Sequence, residues 1–449
     1  MQKGLWSELG GRRIAVLGFG RAGRAATCFF LAQGAQVSVY AREPVPDREA
    51  FSARGVRFYV GTLPPTLDAE LVLRSPGIRP DIPPLASMQG RVIEESQLAL
   101  LLTPAHTVGV TGSDGKTTTS ALIAAILQET GERVFLGGNN GTPLLPRVGE
   151  MGAEDTAVFE LSSFQLTDAV CAPEVAVITN ITPNHLDWHR DFAEYLNAKR
   201  NILRGVSRAA LNVATRDLLA LTPDAPPIAF FSAEEQPLSL RPCDLYVFTR
   251  GDALVVRSAT GEKYLSALSD FSLPGRHNRE NLAAAVAALW GRVPTDAICR
   301  AAAAFRGVAH RLQYVDTVDG VAYYNSSIDT SPSRTAAALA ALGRRPIVIV
   351  GGRGKGIPLA PLADALALHA RAAVAYGDTR EEICALLQGR LPTVSCQRFA
   401  DAFAAAAEMA VTGDTVLLSP GCTAFGEFRD FEERGECFCR LVGALAERK

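Results

Sequence analysis

Apolar residues recur along this chain in a repeating order: a short run of strand length ends in glycine, and a longer stretch of helical spacing follows. The first run, 13–18, reads Arg-Ile-Ala-Val-Leu-Gly and leads to a helix over 22–33, a stop at Gly34 and a second strand over 36–40. The second, 107–112, reads Thr-Val-Gly-Val-Thr-Gly and leads to a helix over 117–130 that Gly131 stops. The third, 346–351, reads Pro-Ile-Val-Ile-Val-Gly and enters a glycine-lysine turn. Strands alternating with helices predict parallel sheets covered on both faces, with ligands at the carboxyl ends of the strands. One segment departs from this order. Leu245-Tyr246-Val247-Phe248 and Ala253-Leu254-Val255-Val256 flank Arg250-Gly251-Asp252, which signals a β-hairpin.

Composition then narrows the class. At 449 residues the chain exceeds one ordinary core, and ~150 residues per domain predicts about three. Boundaries near 96 and 308 give domains over 1–96, 97–308 and 309–449, an α/β protein throughout. Hydrophobic residues at 48% and charged residues at 20% exclude a disordered, collagen-like or coiled-coil chain. The net charge of −2 offers no bulk attraction to nucleic acid. No apolar run approaches the ~18 residues of a membrane span, and the charged N-terminus (Lys3, Glu8, Arg12, Arg13) is unlike a secretory signal. Nine scattered cysteines without a CxxC pair read as reduced thiols, so a soluble cytoplasmic protein is expected.

Thr111-Gly112-Ser113-Asp114-Gly115-Lys116-Thr117-Thr118 follows a strand and opens a helix. Backbone N–H groups of such a loop cradle phosphate oxygens, Lys116 offsets their charge, and a threonine hydroxyl reaches Mg2+. The spacing departs from GxxxxGK[ST], because its first position falls on Val110. A glycine-rich turn with a surface lysine is the plainer reading, but the strand–GKT–helix context favours ATP. Gly18-Phe19-Gly20-Arg21-Ala22-Gly23 fits GxGxxG, a weak dinucleotide signal alone. The acid expected at the end of the next strand is replaced by Tyr40-Ala41-Arg42. A phosphate-bearing ligand, NADP, and a helix-packing turn all remain open there. Glu160 and His185 follow predicted strands and fall beside the phosphate loop, where a carboxylate suits Mg2+. His185 and His189 share i, i+4 spacing, but Pro183 makes this a turn and no third zinc ligand is evident.

Taken together these strings resemble the Mur ligase family, ATP-dependent amide-forming enzymes of peptidoglycan-precursor synthesis. The likeness runs through TGSDGKTTT, ELSSFQL, NITPNHLDWH, the Lys199 segment, PGRHNRENLAAA, AHRLQYV and LSPGCTAFGEFRDFEERGECF. It implies a Rossmann-like N-terminal domain for a UDP-sugar, a central P-loop domain for ATP and a Rossmann-like C-terminal domain for an amino acid. The C-terminal string is most similar to members that add D-glutamate to UDP-N-acetylmuramoyl-L-alanine. The alternatives are another Mur-type ligase or a ligase like folylpolyglutamate synthase, which shares the central fold. The resemblance implies ATP, two Mg2+ ions, a monomer, and a Lys199 carbamylated by CO2. Thr117, Glu160, His185 and Lys199 would hold metal, with Lys116 on the phosphates. Asn278, Asn281, Arg311 and Asp329 would join the phosphate loop on ATP. Gly20, Arg21, Ala22, Arg42, Ser75, Gly77 and Asn139 would face the UDP-sugar. Thr330, Lys355, Thr423 and Phe431 would bind D-glutamate.

Three departures stand out. The family's N-D-S-K-A-T-N string reads Asn325-Ser326-Ser327-Ile328-Asp329-Thr330-Ser331, so the acid moves three residues and the lysine is lost. Ala424 replaces a serine, with the Thr423 hydroxyl as its candidate substitute. Tyr40 replaces an acid near the uracil. Against the ligase stand an ATP-binding module without catalysis and a nucleotide-dependent dehydrogenase built on the first glycine turn.

Overall fold

The computed structural model describes residues 2–447 apart from 46, 220–224, 267, 269, 270, 272, 274 and 355, and apart from the side chains of residues 2, 3 and 5. The described residues are mixed α/β, with mostly parallel sheets. The chain forms two compact units, Met1–Phe305 and Arg306–Lys449.

The first unit carries two sheets. Strands β1 (Arg13–Leu17), β2 (Gln36–Ala41), β3 (Arg57–Val60), β4 (Leu71–Arg74) and β5 (Val92–Ile93) pair in parallel in the order β3-β2-β1-β4-β5. The order reverses between β1 and β4, which opens a crevice at their carboxyl ends, where the Gly18 and Ser75 turns emerge.

The second sheet has nine strands. β6 (His106–Thr111) lies between β8 (Thr156–Glu160) and β9 (Val175–Ile178), with β7 (Val134–Gly138) at the edge. The phosphate loop therefore leaves β6 at a second switch point, with Glu160 ending the strand on one side and Thr179 following the strand on the other. Period-two patterning builds the two faces. Val158 packs under the helix Lys116–Gln128, and Ala157 and Phe159 face the opposite core. β10 (Arg208–Asn212) and β11 (Ile228–Phe231) continue the sheet, followed by β12 (Leu245–Arg250), β13 (Ala253–Ser258) and β14 (Gly261–Leu265). The expected hairpin is present: β12 and β13 are antiparallel, and Arg250 pairs with Ala253 across a two-residue turn.

Residues 94–97, where the sequence reading sets a boundary, are buried polar connectors. Glu94 caps the helix Glu95–Leu102 and accepts a bond from Gln165 Nε2 at 3.2 Å. Burial, with Glu95 beside it, raises the Glu94 pKa well above the carboxylate range.

The second unit is one sheet. β15 (Gln313–Val318) and β16 (Val321–Asn325) are antiparallel, and β16 runs parallel to β20 (Thr415–Gly421). β20 lies beside β17 (Ile347–Gly351), followed by β18 (Ala372–Tyr376) and β19 (Thr393–Cys396). Its turns are held by Arg434, which is 0% exposed. The guanidinium donates to Ser327 Oγ and the Ser327 carbonyl, both at 2.9 Å, to Tyr376 OH at 3.1 Å and to the Cys422 carbonyl at 3.3 Å. Arg434→Met should strand several of these buried acceptors and lower the unfolding free energy by about 2–5 kcal/mol. Urea denaturation followed by circular dichroism measures this, and a loss below about 1 kcal/mol would contradict the role assigned to the guanidinium.

Candidate active site

The phosphate loop is shaped by neighbours that force its glycines. Gly112 has φ +151°, and a Cβ there would lie 1.8 Å from Thr179 Oγ1. Gly115 has φ +79°, and its Cβ would lie 2.4 Å from Asn281 Oδ1. The glycines admit these polar side chains as well as any phosphate. Asn180 Oδ1 accepts from the Asp114 backbone N–H at 2.8 Å, and Thr179 Oγ1 donates to the Asp114 carbonyl at 2.5 Å. Ser113 Oγ sits 2.6 Å from Tyr195 OH and donates to the Thr182 carbonyl at 3.0 Å. Lys116 Nζ reaches the carbonyls of Gly112 (3.0 Å) and Ser113 (2.8 Å). Thr117 and Thr118 follow in the first turn of the helix. Asn281 Oδ1 accepts from Thr119 at 3.3 Å and its amide meets Asn278 Oδ1 at 3.5 Å, so this pair braces the start of that helix.

Glu160 is 2% exposed. One oxygen accepts from Asn139 Nδ2 at 2.8 Å, and the other, Oε2, has no hydrogen-bond partner among the described residues. A buried carboxylate oxygen in that state suits a cation. Asn139 thus contacts Glu160 directly, and its own loop is reached from the first glycine turn by Arg21, which donates to the Gly141 carbonyl at 3.5 Å.

Lys199 is also 2% exposed. Its Nζ donates to the Gly112 carbonyl at 2.7 Å and to Thr111 Oγ1 at 3.4 Å, with the Tyr195 ring 4.8 Å away. Burial, then the nearby Lys116 ammonium, holds its pKa far below the usual lysine value, against a smaller opposing effect of Asp114. His185 takes φ +54° and packs its ring 4.9 Å from Phe164. Burial lowers its pKa, Asp187 opposes this, and the nearby Lys116 and Lys199 side chains lower it further. Both histidines of the i, i+4 pair pack on Phe164, and His189 Nε2 lies 2.9 Å from Ser163 Oγ.

At the first crevice, Gly20 caps the helix Arg21–Ala32, whose first turn carries Ala22. A Cβ on Gly18 would lie 2.3 Å from Ser75 Oγ, so the two turns are in contact. Beside them Arg42, Tyr40, Tyr59, Ile78 and Ile82 line a cavity of about 610 Å3. Tyr40 stacks on Tyr59 at 4.8 Å, an aromatic wall where an acid was expected. Sequence reasoning missed Arg74, which is 0% exposed. It pairs with Asp168 and donates to the carbonyls of Phe164 (3.0 Å), Ile78 (3.0 Å), Pro76 (3.3 Å) and Ser75 (3.4 Å). A basic residue closing an otherwise apolar strand, Leu71-Val72-Leu73-Arg74, was the available signal.

In the second unit Arg311 and Asp329 are electrostatic neighbours. Asp329 is buried, accepts from Ser419 Oγ at 2.8 Å and bonds Ser326, so its carboxylate lies beside the residue that stands where the family carries its acid. Thr423 Oγ1 donates to the Arg353 carbonyl at 2.8 Å, which commits its one proton within the protein. Phe431 packs on His310 and its carbonyl accepts from Ser327; Thr330 N–H donates to Ile328. Lys355 lies outside the described residues.

Comparison with known sequences decides the family. The Mur ligase middle domain pattern matches residues 110–289, and the Mur ligase, glutamate ligase domain pattern matches 310–422. The chain is 38% identical to a UDP-N-acetylmuramoylalanine–D-glutamate ligase of Symbiobacterium thermophilum, over 97% of this chain and 98% of that one. The chain belongs to the Mur ligase family. A ligase of the same name from Acetivibrio thermocellus is 35% identical over 97% of each chain. Among solved Mur ligases the fold is similar to MurF of Acinetobacter baumannii (18% identity, TM-score 0.55, 98% of this chain and 92% of that one). It is likewise similar to the UDP-N-acetylmuramate-alanine ligase MurC of Thermotoga maritima (19% identity, TM-score 0.54, 96% and 99%). Mur ligases of this kind use ATP and Mg2+.

Burial raises the Asp329 pKa to about 6 from 3.8. The folded carboxyl therefore holds its proton more tightly than the unfolded one. Its effect on stability is absent below about pH 4, grows as pH rises through 6, and costs about 3 kcal/mol above that. Asp329→Asn should remove this decline from a series of urea midpoints between pH 4 and 7; an equal decline in the variant would contradict it.

Proposed function

We propose that this Mur ligase is an ATP-dependent ligase that joins D-glutamate to UDP-N-acetylmuramoyl-L-alanine in the cytoplasm. The observation that carries the reading is the gathering of Lys116, Glu160, His185 and Lys199 around one glycine loop, in a chain collinear with relatives bearing that activity in their names. Residues 1–96 serve the nucleotide sugar, 97–308 ATP, and 309–449 the amino acid. No described helix is long and apolar enough to cross a membrane.

The difficulty of the reaction is charge. A carboxylate oxygen of the acceptor attacks the γ-phosphorus of ATP, the bond to the β-phosphate oxygen breaks, and ADP leaves with that electron pair. The D-glutamate amine then attacks the acyl phosphate, phosphate departs, and the nitrogen gives up a proton. Lys116 and the loop N–H groups stabilise the phosphoryl charge. Bound Mg2+ would supply further positive charge, held by Thr117, Glu160, His185 and Lys199. The orphaned Glu160 oxygen suits that cation. A lysine whose pKa is lowered by burial suits carbamylation, because CO2 reacts with the free base and a lowered pKa makes that form easier to reach. The carbamate would turn Lys199 into an anionic oxygen donor. Arg311 and Asp329 serve the nucleotide, and Thr330, Lys355, Thr423 and Phe431 the amino acid. With the Thr423 proton committed and Ala424 in place of serine, the D-glutamate carboxylate has fewer hydroxyl donors to meet.

Phosphate release assayed with UDP-N-acetylmuramoyl-L-alanine and a panel of D- and L-amino acids tests the proposal. Release should require both substrates and favour D-glutamate; a preference for L-glutamate or a neutral D-amino acid would overturn the substrate assignment. Lys199→Ala should lose at least 100-fold in rate, on the order of removing a metal-side anion, and formate or acetate should restore part of it. Full activity in Lys199→Arg would contradict the carbamate.

A further inference from the structure

The turns after Ser75 and before His189 are joined by a cluster of side chains that the reaction above does not use. Trp188 is gripped at both ends. Its indole N–H donates to the Gly77 carbonyl at 3.0 Å, and its own carbonyl accepts from Arg79 Nη1 at 2.6 Å. The Arg79 guanidinium lies 4.9 Å from the centre of the indole ring. Arg79 also forks onto Asp81 (2.9 and 3.0 Å) and onto Glu194 (2.8 and 3.4 Å), and Arg190 closes the ring by pairing with Asp81. These paired charges lower the Glu194 pKa and bring that of Asp81 down to about 2, so both carboxylates stay ionised at neutral pH.

The cluster reaches the reacting groups through short connections. The His185 carbonyl accepts from the N–H groups of Trp188 (3.1 Å) and His189 (2.9 Å). His185 holds a left-handed backbone that a non-glycine residue keeps only when its surroundings over-determine it. On the other side, the Trp188 indole takes the Gly77 carbonyl, and Arg74 takes those of Ser75, Pro76 and Ile78. Both turns lie outside regular helix and strand, so beyond local backbone bonds such as Ser75 N–H to the Leu17 carbonyl their link to each other is made by side chains.

We propose that Arg79 and Trp188 strap the Ser75–Gly77 turn to the His185 turn, which makes Arg79 a positioning residue for both the nucleotide sugar and the metal-side histidine. The proposal rests on the reading that Ser75 and Gly77 face the nucleotide sugar and that His185 faces metal. A guanidinium over the indole is needed because its fixed fork of donors reaches two carboxylates and a carbonyl at once, which an ammonium cannot do.

The test compares full-length Arg79→Met, Arg79→Lys and Trp188→Phe with the parent protein. Two affinities are measured without turnover: UDP-N-acetylmuramoyl-L-alanine by calorimetry, and Mn2+ in place of Mg2+ by electron paramagnetic resonance. Steady-state KM for ATP and the thermal midpoint are read alongside. Arg79→Met should weaken both affinities about tenfold, in the range found for residues that orient metal ligands. The KM for ATP should stay within about twofold. Arg79→Lys should recover little of the loss. Trp188→Phe, which keeps an aromatic ring but loses the N–H, should weaken the nucleotide sugar. Parent-like affinities for both probes in Arg79→Met and Trp188→Phe would overturn the strap, as would an equal loss for ATP. If the parent protein itself fails to bind the nucleotide sugar, the functional reading has failed instead.

Discussion

A lysine amine buried against a carbonyl of the phosphate loop is the constraint around which this site is organised. Lys199 Nζ is 2.7 Å from the Gly112 carbonyl, and Lys116 reaches the same carbonyl at 3.0 Å. Two ammoniums converging on one backbone oxygen, one of them excluded from water, cannot both hold their protons cheaply. Lys199 is the deeper of the two and the one that burial drives towards the free base. The loop conformation follows from the same crowding: Gly112 must accommodate Thr179, and Gly115 must accommodate Asn281.

All three sheets use one topological device to position chemistry. The strand order reverses within the sheet, and the turns at that point soon leave the ladder after a bond such as Ser75 N–H to the Leu17 carbonyl, which opens a crevice. Free turns need other anchors. Arg74 in the first sheet and Arg434 in the last, each fully buried, fill that role by donating to several carbonyls of the turns. In the central sheet the neighbouring strand end holds the loop at Asp114, whose N–H donates to Asn180 Oδ1 and whose carbonyl accepts from Thr179 Oγ1. A guanidinium has five donors in a fixed fork, which explains why arginine recurs where several carbonyls must be held at once.

What was legible in the sequence was local. The strand–glycine–helix units, the hairpin at Arg250-Gly251-Asp252 and the placing of Glu160 at a strand end all follow from patterns a few residues long. Long-range anchors were not legible, because nothing near Arg74 in sequence shows that its carboxylate partner is Asp168, 94 residues on. Asn281, expected on ATP from its family string, is seen in the fold bonded to Thr119 and Asn278, partners that the string does not reveal. The shift from Ser326 to Asp329 could be seen but not judged. Only folding shows that the carboxylate bonds Ser326 and Ser419 beside Arg311. The Thr423 hydroxyl illustrates the converse, because a proton that looks available in sequence is committed to Arg353.

The proposed chemistry turns on Lys199, whose pKa burial lowers, taking up CO2 and so becoming an anionic metal holder. Carbon-13 NMR of the enzyme equilibrated with 13C-bicarbonate and Mg2+ reads this directly. The account predicts one protein-bound carbamate resonance that is absent from Lys199→Met. No such resonance in the parent enzyme, or the same resonance in the variant, would contradict it.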